Sequence, residues 1–105
     1  MAEFPEELAQ CTGFEWDSGN AEKNWDLHGV SRAETEQVFF NRPILVVPDE
    51  EHSQRERRYA ALGKTNAGQK LSIIFTVRGT LVRVISARDM SRRERRFYEQ
   101  ASTAA

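Results

Sequence analysis

The chain has 105 residues, of which 39% are hydrophobic and 30% are charged. This length predicts one domain, and this balance excludes a disordered chain and a membrane-spanning one. The longest apolar run, Ile44 to Val47, is far shorter than the roughly 20 residues that cross a bilayer. The acidic start has no signal-peptide pattern, and a single cysteine, Cys11, excludes an internal disulfide. We therefore expect a cytoplasmic protein that contacts no membrane.

The first part of the chain predicts an arm, a short strand and a helix. Residues 1–10 show no periodicity and predict a loose arm or an irregular cap. Gly13 to Trp16 alternates apolar and polar residues, as a strand does. Asp17 or Ser18 can then cap a helix that ends at Gly29. The spacing of its apolar residues predicts that this helix buries Ala21, Trp25 and His28.

A capping box predicts the second helix. The Ser31 hydroxyl and the Glu34 carboxylate can each bind a backbone N–H that the first helical turn leaves unpaired. Val38 and Phe39 form the predicted core face. The helix is expected to end at Asn41-Arg42-Pro43 because proline disfavours helical backbone before it.

Four strands are predicted next: Ile44 to Val47, Arg55 to Lys64, Leu71 to Val77, and Leu81 to Ser86. Short turns join the last three, so these strands should pair antiparallel. The predicted element order is β-α-α-β-β-β-β-α, an α+β domain over residues 11–101 in which helices flank a small antiparallel sheet.

A second capping box, Ser91 with Glu94, begins the last helix, which is predicted to extend to about Gln100. Phe97 and Ala101 stand four residues apart and predict the face that packs on the sheet. Residues 102–105 are expected to form a frayed tail.

The charges divide unevenly along the chain. Residues 1–52 carry three bases and twelve acids, a net charge of −9, whereas residues 53–105 carry twelve bases and four acids, a net charge of +8. Such asymmetry indicates either a nucleic-acid surface or two halves whose charges pair across the fold. Ten of the twelve bases are arginine, which suits bidentate phosphate binding.

One acid and three arginines on the predicted strands are the candidates for chemistry. Glu56 and Arg58 share a strand face, and Arg83 lies mid-strand where a charge needs a partner. A Glu56–Arg83 ion pair that only stabilises the sheet is one interpretation, and a phosphate-binding cradle is the other. Strict alternation places Arg88 and Arg83 on opposite faces of the sheet. Arg88 therefore joins the cradle only if the strand bulges or has ended.

Other candidates are weaker. The spacing of histidine, cysteine and carboxylates indicates no metal site, and Asp49 to His52 is typical of a solvated acidic turn. Cys11 with His28 is a possible nucleophilic pair that lacks an oxyanion hole. Tyr98 and Trp16 could stack on bases or simply pack within the fold.

Several motifs together resemble the BrnT family over about residues 14–99. They are Phe14-Glu15-Trp16-Asp17, Asn24, His28-Gly29-Val30, His52-Ser53 with Glu56 and Arg58, Gly63-Lys64, Ile85 to Met90, Arg93-Glu94-Arg95, and Tyr98. The resemblance implies a RelE-like fold and a metal-independent ribonuclease toxin that needs no cofactor and stops translation. It also implies a cognate ribbon-helix-helix antitoxin of the BrnA type, with promoter DNA bound only through the toxin–antitoxin complex.

These expectations assign a role to each candidate. Glu56 is the expected general base, with His28 or His52 as alternatives. Arg58 and Arg83 neutralise the reacting phosphate, and Arg88 positions the neighbouring phosphate of the RNA. Tyr98 and Trp16 are the expected RNA-stacking residues. The antitoxin is expected to cover the basic face of the last helix: Arg92, Arg93, Arg95 and Arg96.

Two departures from the family pattern keep a second function open. Asn20 stands where the family usually has a lysine, and Leu27-His28 stands where it has a Lys-His pair. A helix without both lysines favours a weakly active or inactive module that still binds nucleic acid or an antitoxin. A plain interaction protein whose arginines serve an acidic partner is a third candidate.

Overall fold

The computed structural model describes residues 5–52 and 55–103, without the side chains of Ser18, Asn20, Ala21, Asn24, Asp26 and His52. A five-stranded sheet has the strand order β1-β5-β4-β3-β2. The elements in chain order are α1 (Glu6–Ala9), β1 (Gly13–Glu15), α2 (Ser18–His28), α3 (Arg32–Phe40), β2 (Leu45–Pro48), a 3-10 turn (Glu50–His52), β3 (Arg58–Lys64), β4 (Lys70–Arg78), β5 (Leu81–Asp89) and α4 (Arg92–Thr103).

The predicted α+β class and element order are confirmed, with α1 and the 3-10 turn as additions. β2 to β5 pair antiparallel, as predicted, whereas β1 pairs parallel with β5, so the sheet is mixed. The β4–β5 turn is the tight one expected, and Gly79 adopts φ 61° there. Such a left-handed backbone favours glycine because it has no Cβ.

The one-turn helix α1 lies within the predicted arm. The carbonyl of Pro5 accepts from the N–H groups of Leu8 and Ala9. Leu8 is buried in the core, and Glu7 accepts a hydrogen bond from the Tyr59 hydroxyl. Residues 5–9 are therefore a cap on the core rather than a loose arm.

One face of the sheet carries the main core, which α3 covers. The capping box of Ser31 and Glu34 is present as predicted. Val38 is fully buried, and the ring of Phe39 meets that of Phe75 edge-on at 5.2 Å. The helix approaches β3 so closely that a Cβ on Gly63 would lie 2.6 Å from Val38 Cγ1.

The other face of the sheet carries α4 at one end. The packing prediction for this helix is wrong, because Phe97 is 51% exposed and Tyr98 is only 3% exposed. Tyr98 packs with Leu62, Met90 and Leu45. The hydroxyls of Ser102 and Thr103 bind carbonyls of the preceding turn, so α4 continues past the predicted end at Gln100.

Two further predictions need correction. β3 begins at Arg58 rather than Arg55, because β2 ends at Pro48, opposite Tyr59, and offers no partner to the residues before Arg58. Helix α2 leaves Trp25 60% exposed, and His28 is exposed as well. α2 is poor in apolar residues, so their spacing does not decide which side faces the sheet. None of the described helices is long and apolar enough to span a membrane.

Candidate functional site: an arginine row on the sheet

Four side chains lie side by side across the sheet, on the face opposite α3. Glu15 on β1 is in register with Arg83 on β5, Arg83 with Thr76 on β4, and Thr76 with Arg58 on β3. Residues directly opposite each other on neighbouring strands point to the same face. We call this set, Glu15, Arg83, Thr76 and Arg58, the arginine row.

A bulge in β5 brings Arg88 to the same face as the arginine row. Arg83 is opposite Thr76 and Arg88 is opposite Ser72, while the register shifts between Ile74 and Phe75. Thr76 and Ser72 share a face because they are four residues apart on β4. The bulge that the sequence required for Arg83 and Arg88 to meet on one face is therefore present.

Arg83 is held by two acids of the first half of the chain. Its Nη1 lies 3.4 Å from Glu15 Oε2, and its Nη2 lies 3.4 Å from Asp17 Oδ2. The predicted Glu56–Arg83 ion pair is absent, because Glu56 pairs instead with Arg78, at 3.5 Å. The interpretation in which a Glu56–Arg83 ion pair only stabilises the sheet is therefore wrong.

Glu56 nevertheless lies near the row. Its partner Arg78 stands two residues beyond Thr76 on β4, so the backbone of Arg78 lies about 7 Å along the strand from that of Thr76. Glu56 also lines an open cleft of about 620 Å³ with Pro48, Glu50, Arg55, Arg57 and Tyr59. The fold thus places Arg58 and Arg83 on one face of the sheet, and Glu56 reaches Arg78, a cation that sequence reasoning missed.

Arg88 is engaged by α4. Its two Nη nitrogens donate to the two carboxylate oxygens of Glu94, at 2.7 and 3.1 Å. The Ser91 N–H and the Ser72 hydroxyl donate to the same carboxylate. The predicted second capping box is thus present, and the Arg88 guanidinium ties the helix to the sheet.

These contacts shift the pKa of Glu94. Burial alone raises the pKa of this carboxyl, but the hydrogen bonds from Arg88, Ser91 and Ser72 and the charge of Arg88 outweigh it and lower the pKa to about 2. A pKa below that of the unfolded chain stabilises the fold at pH values above about 4.5. This stabilisation is lost as the pH falls from about 4.5 towards 2.

We expect Glu94→Gln to lower the free energy of unfolding by about 2 kcal/mol at pH 7, less than the full linkage value because Arg88 is half exposed. The difference from the unmodified chain should shrink as the pH falls to about 2. Urea titrations at several pH values measure it. Glu22→Gln, at an exposed position of α2, is the control. A difference that is constant with pH would contradict the ion-pair explanation.

The structure separates the two aromatic candidates. The prediction that Tyr98 stacks on a base is wrong, because its ring is buried and its hydroxyl donates to the Pro43 carbonyl at 2.7 Å. Trp16 is partly exposed, although Arg32 lies over its ring and Nε1 donates to Glu36 at 2.8 Å. Trp16 alone remains available as a stacking residue.

The remaining candidates are the two histidines and the cysteine. No hydrogen bond or ion pair among the described residues joins His28 to the row. The backbone of His52 ends the 3-10 turn, while its side chain, like that of Asn20, lies outside the description. Cys11 donates to the Glu7 carbonyl, and burial, with the charge of Glu7, raises its pKa, which disfavours a thiolate nucleophile. The described residues contain no group of three or more metal-binding side chains.

The described ion pairs show where the basic and acidic halves of the chain meet. Among the described ion pairs, those of Arg83 with Glu15 and Asp17 join the two halves, and the others stay within residues 53–105. The four arginines of α4 are exposed: Arg92, Arg93, Arg95 and Arg96. The exposed arginines of α4 are thus available to a charged partner.

A small α+β protein with an arginine row beside a carboxylate is suited to bind a phosphodiester chain. A family model described as "Ribonuclease toxin, BrnT, of type II toxin-antitoxin system" matches residues 16–94. The chain belongs to this family. It is similar to the crystal structure of the Brucella abortus ribonuclease toxin BrnT, with 25% identity and a TM-score of 0.59, over 76% of this chain and 97% of that one. No curated protein matches the sequence.

Proposed function

We propose that the arginine row is the active site of a metal-independent endoribonuclease. The observation that carries the proposal is the register of β3, β4 and β5, in which Thr76 separates Arg58 from Arg83. The Cα atoms of these arginines are two strand spacings apart, about 10 Å. Side chains as long as arginine can converge on one phosphate from that distance.

The proposed reaction is attack of the RNA 2′-hydroxyl on the adjacent phosphate. The oxygen–phosphorus bond that forms yields a 2′,3′-cyclic phosphate, and the bond to the 5′-oxygen breaks. Glu56 accepts the hydroxyl proton, and Arg58 and Arg83 stabilise the charge of the pentavalent transition state. His28 and His52 are the alternative proton carriers, and one of them or water returns a proton to the 5′-oxygen.

Around this centre, Trp16 stacks on a base and Arg88, when it exchanges Glu94 for phosphate, positions the next nucleotide. Cleavage of cellular RNA would stop translation. A ribbon-helix-helix antitoxin of the BrnA type would neutralise the toxin by covering the arginines of α4, and the complex would bind promoter DNA through the antitoxin. The positive charge of residues 53–105 supports both partners.

The purified protein should cleave single-stranded RNA in the presence of EDTA and leave 2′,3′-cyclic phosphate ends. Chemical analysis of the product ends measures this, and Glu56→Gln is the control for a contaminating nuclease. Cleavage that stops when EDTA is added would contradict the metal-independent mechanism. RNA binding without cleavage would favour the inactive module, for which the exposed Leu27 on α2 in place of a lysine is the supporting feature.

A further inference from the structure

Glu15 contributes a carboxylate to the arginine row, and one of its two oxygens is buried although the side chain as a whole is 39% exposed. Its Oε2 atom is shielded from solvent and makes no hydrogen bond among the described residues. Arg83 Nη1, at 3.4 Å, is the cation that faces it. A buried carboxylate oxygen is costly without a compensating cation, so Glu15 and Arg83 constrain each other. The parallel pairing of β1 with β5 fixes both backbones.

Asp17 holds the other end of the same guanidinium. Its Oδ2 lies 3.4 Å from Arg83 Nη2, while its Oδ1 accepts from the Gly19 N–H at 2.8 Å, at the start of α2. Two carboxylates, one on β1 and one in the connection from β1 to α2, therefore hold one planar group. A guanidinium has five N–H donors, and these two contacts leave donors for a ligand.

The two acids expose similar fractions of their side chains, 47% for Asp17 and 39% for Glu15. The Glu15 oxygen that faces Arg83 is nevertheless shielded from solvent. An anion that arrives from solution therefore competes more easily for Nη2, which faces Asp17, than for Nη1, which faces the shielded Glu15 oxygen.

We infer that Glu15 is a positioning residue of the active site, which holds the Arg83 guanidinium so that its remaining N–H groups face the RNA phosphate. This inference rests on the proposed ribonuclease function. Glu15 touches no reacting atom and acts only through Arg83. The placement of catalytic groups to within a fraction of an ångström affects the rate strongly, so a neutral residue at position 15 should slow cleavage.

The test is Glu15→Gln, which keeps the size of the side chain and removes its charge. We expect kcat for RNA cleavage to fall roughly 10-fold with little change in KM. In an Arg83→Ala background the same change should have no further effect, because its target is gone. Glu99→Gln is the matched control. It removes the carboxylate of Glu99 on α4, which pairs with Lys70 on β4, and should leave kcat unchanged.

A second measurement keeps this test separate from that of the proposed function. In 15N-labelled protein, the NMR signal of Arg83 Nε–Hε reports how freely its guanidinium rotates, whether or not RNA is cleaved. Glu15→Gln should speed that rotation, and Glu99→Gln should not. Failure of the unmodified chain to cleave RNA would overturn the ribonuclease, while an Arg83 signal unchanged by Glu15→Gln would overturn the positioning role.

Discussion

Arg58→Ala and Arg83→Ala should each lower the rate of RNA cleavage by roughly 10²-fold or more. Both arginines lie on the same face of the sheet, Arg58 on β3 and Arg83 on β5, with Thr76 of β4 between them. In the proposed reaction they stabilise charge that develops only in the transition state, so kcat should fall more than the affinity for RNA. Cleavage rates under single-turnover conditions, with RNA binding measured separately, give the two quantities. Arg42→Ala, at the end of α3, controls for the loss of one positive charge.

The fold itself complicates one of these substitutions. Arg83→Ala leaves the buried Glu15 oxygen without its cation, so it should also lower the melting temperature. The double variant Glu15→Gln/Arg83→Ala removes that unpaired charge and should restore most of the stability but none of the activity. Recovery of both together would show that Arg83 belongs to a structural ion pair and not to the catalytic machinery.

Much of the fold could be predicted because its signals are local. Each capping box, such as Ser31 with Glu34, lies within four residues, and the tight turn at Gly79 needs only a left-handed backbone. The β3–β5 meander follows from short connections. The parallel pairing of β1 with β5 joins residues 13–15 to residues 81–83, and no local pattern encodes such a long-range contact.

The candidate site was predicted in part for the same reason. Glu56, Arg58 and Arg83 were identified as charges on strands, but their neighbours depend on register. Glu15 and Asp17 reach Arg83 only through the β1–β5 pairing, so sequence reasoning missed both. Alternation along β1 is the one signal that could have indicated Glu15, since it places Glu15 on the face opposite the core residue Phe14.

Tyr98 illustrates a different limit. The four-residue spacing of Phe97 and Ala101 predicts one buried face of α4. The structure instead packs the face of Glu94 and Tyr98 on the sheet. The sheet selects the second face because Arg88 binds the Glu94 carboxylate there. The orientation of α4 therefore depends on a polar contact that a hydrophobic pattern cannot reveal.

That orientation determines which arginines a partner can reach. Arg92 and Arg96 are four residues apart and share the side of α4 opposite Glu94 and Tyr98. Both are exposed, and neither contributes to the arginine row. An acidic or amphipathic antitoxin segment along this side would meet a concentrated positive charge without disturbing the helix–sheet contacts.

Arg92→Glu/Arg96→Glu should weaken antitoxin binding by roughly 10²-fold, because attraction is replaced by repulsion at two positions. The remaining affinity should depend less on salt, since fewer ionic contacts are left to screen. Titrations at two salt concentrations measure both effects, and RNA cleavage without antitoxin should be unchanged. Lys23→Glu/Arg42→Glu changes the net charge equally on the acidic half and is the matched control. If the control weakens binding and the α4 variant does not, the antitoxin covers the acidic half instead.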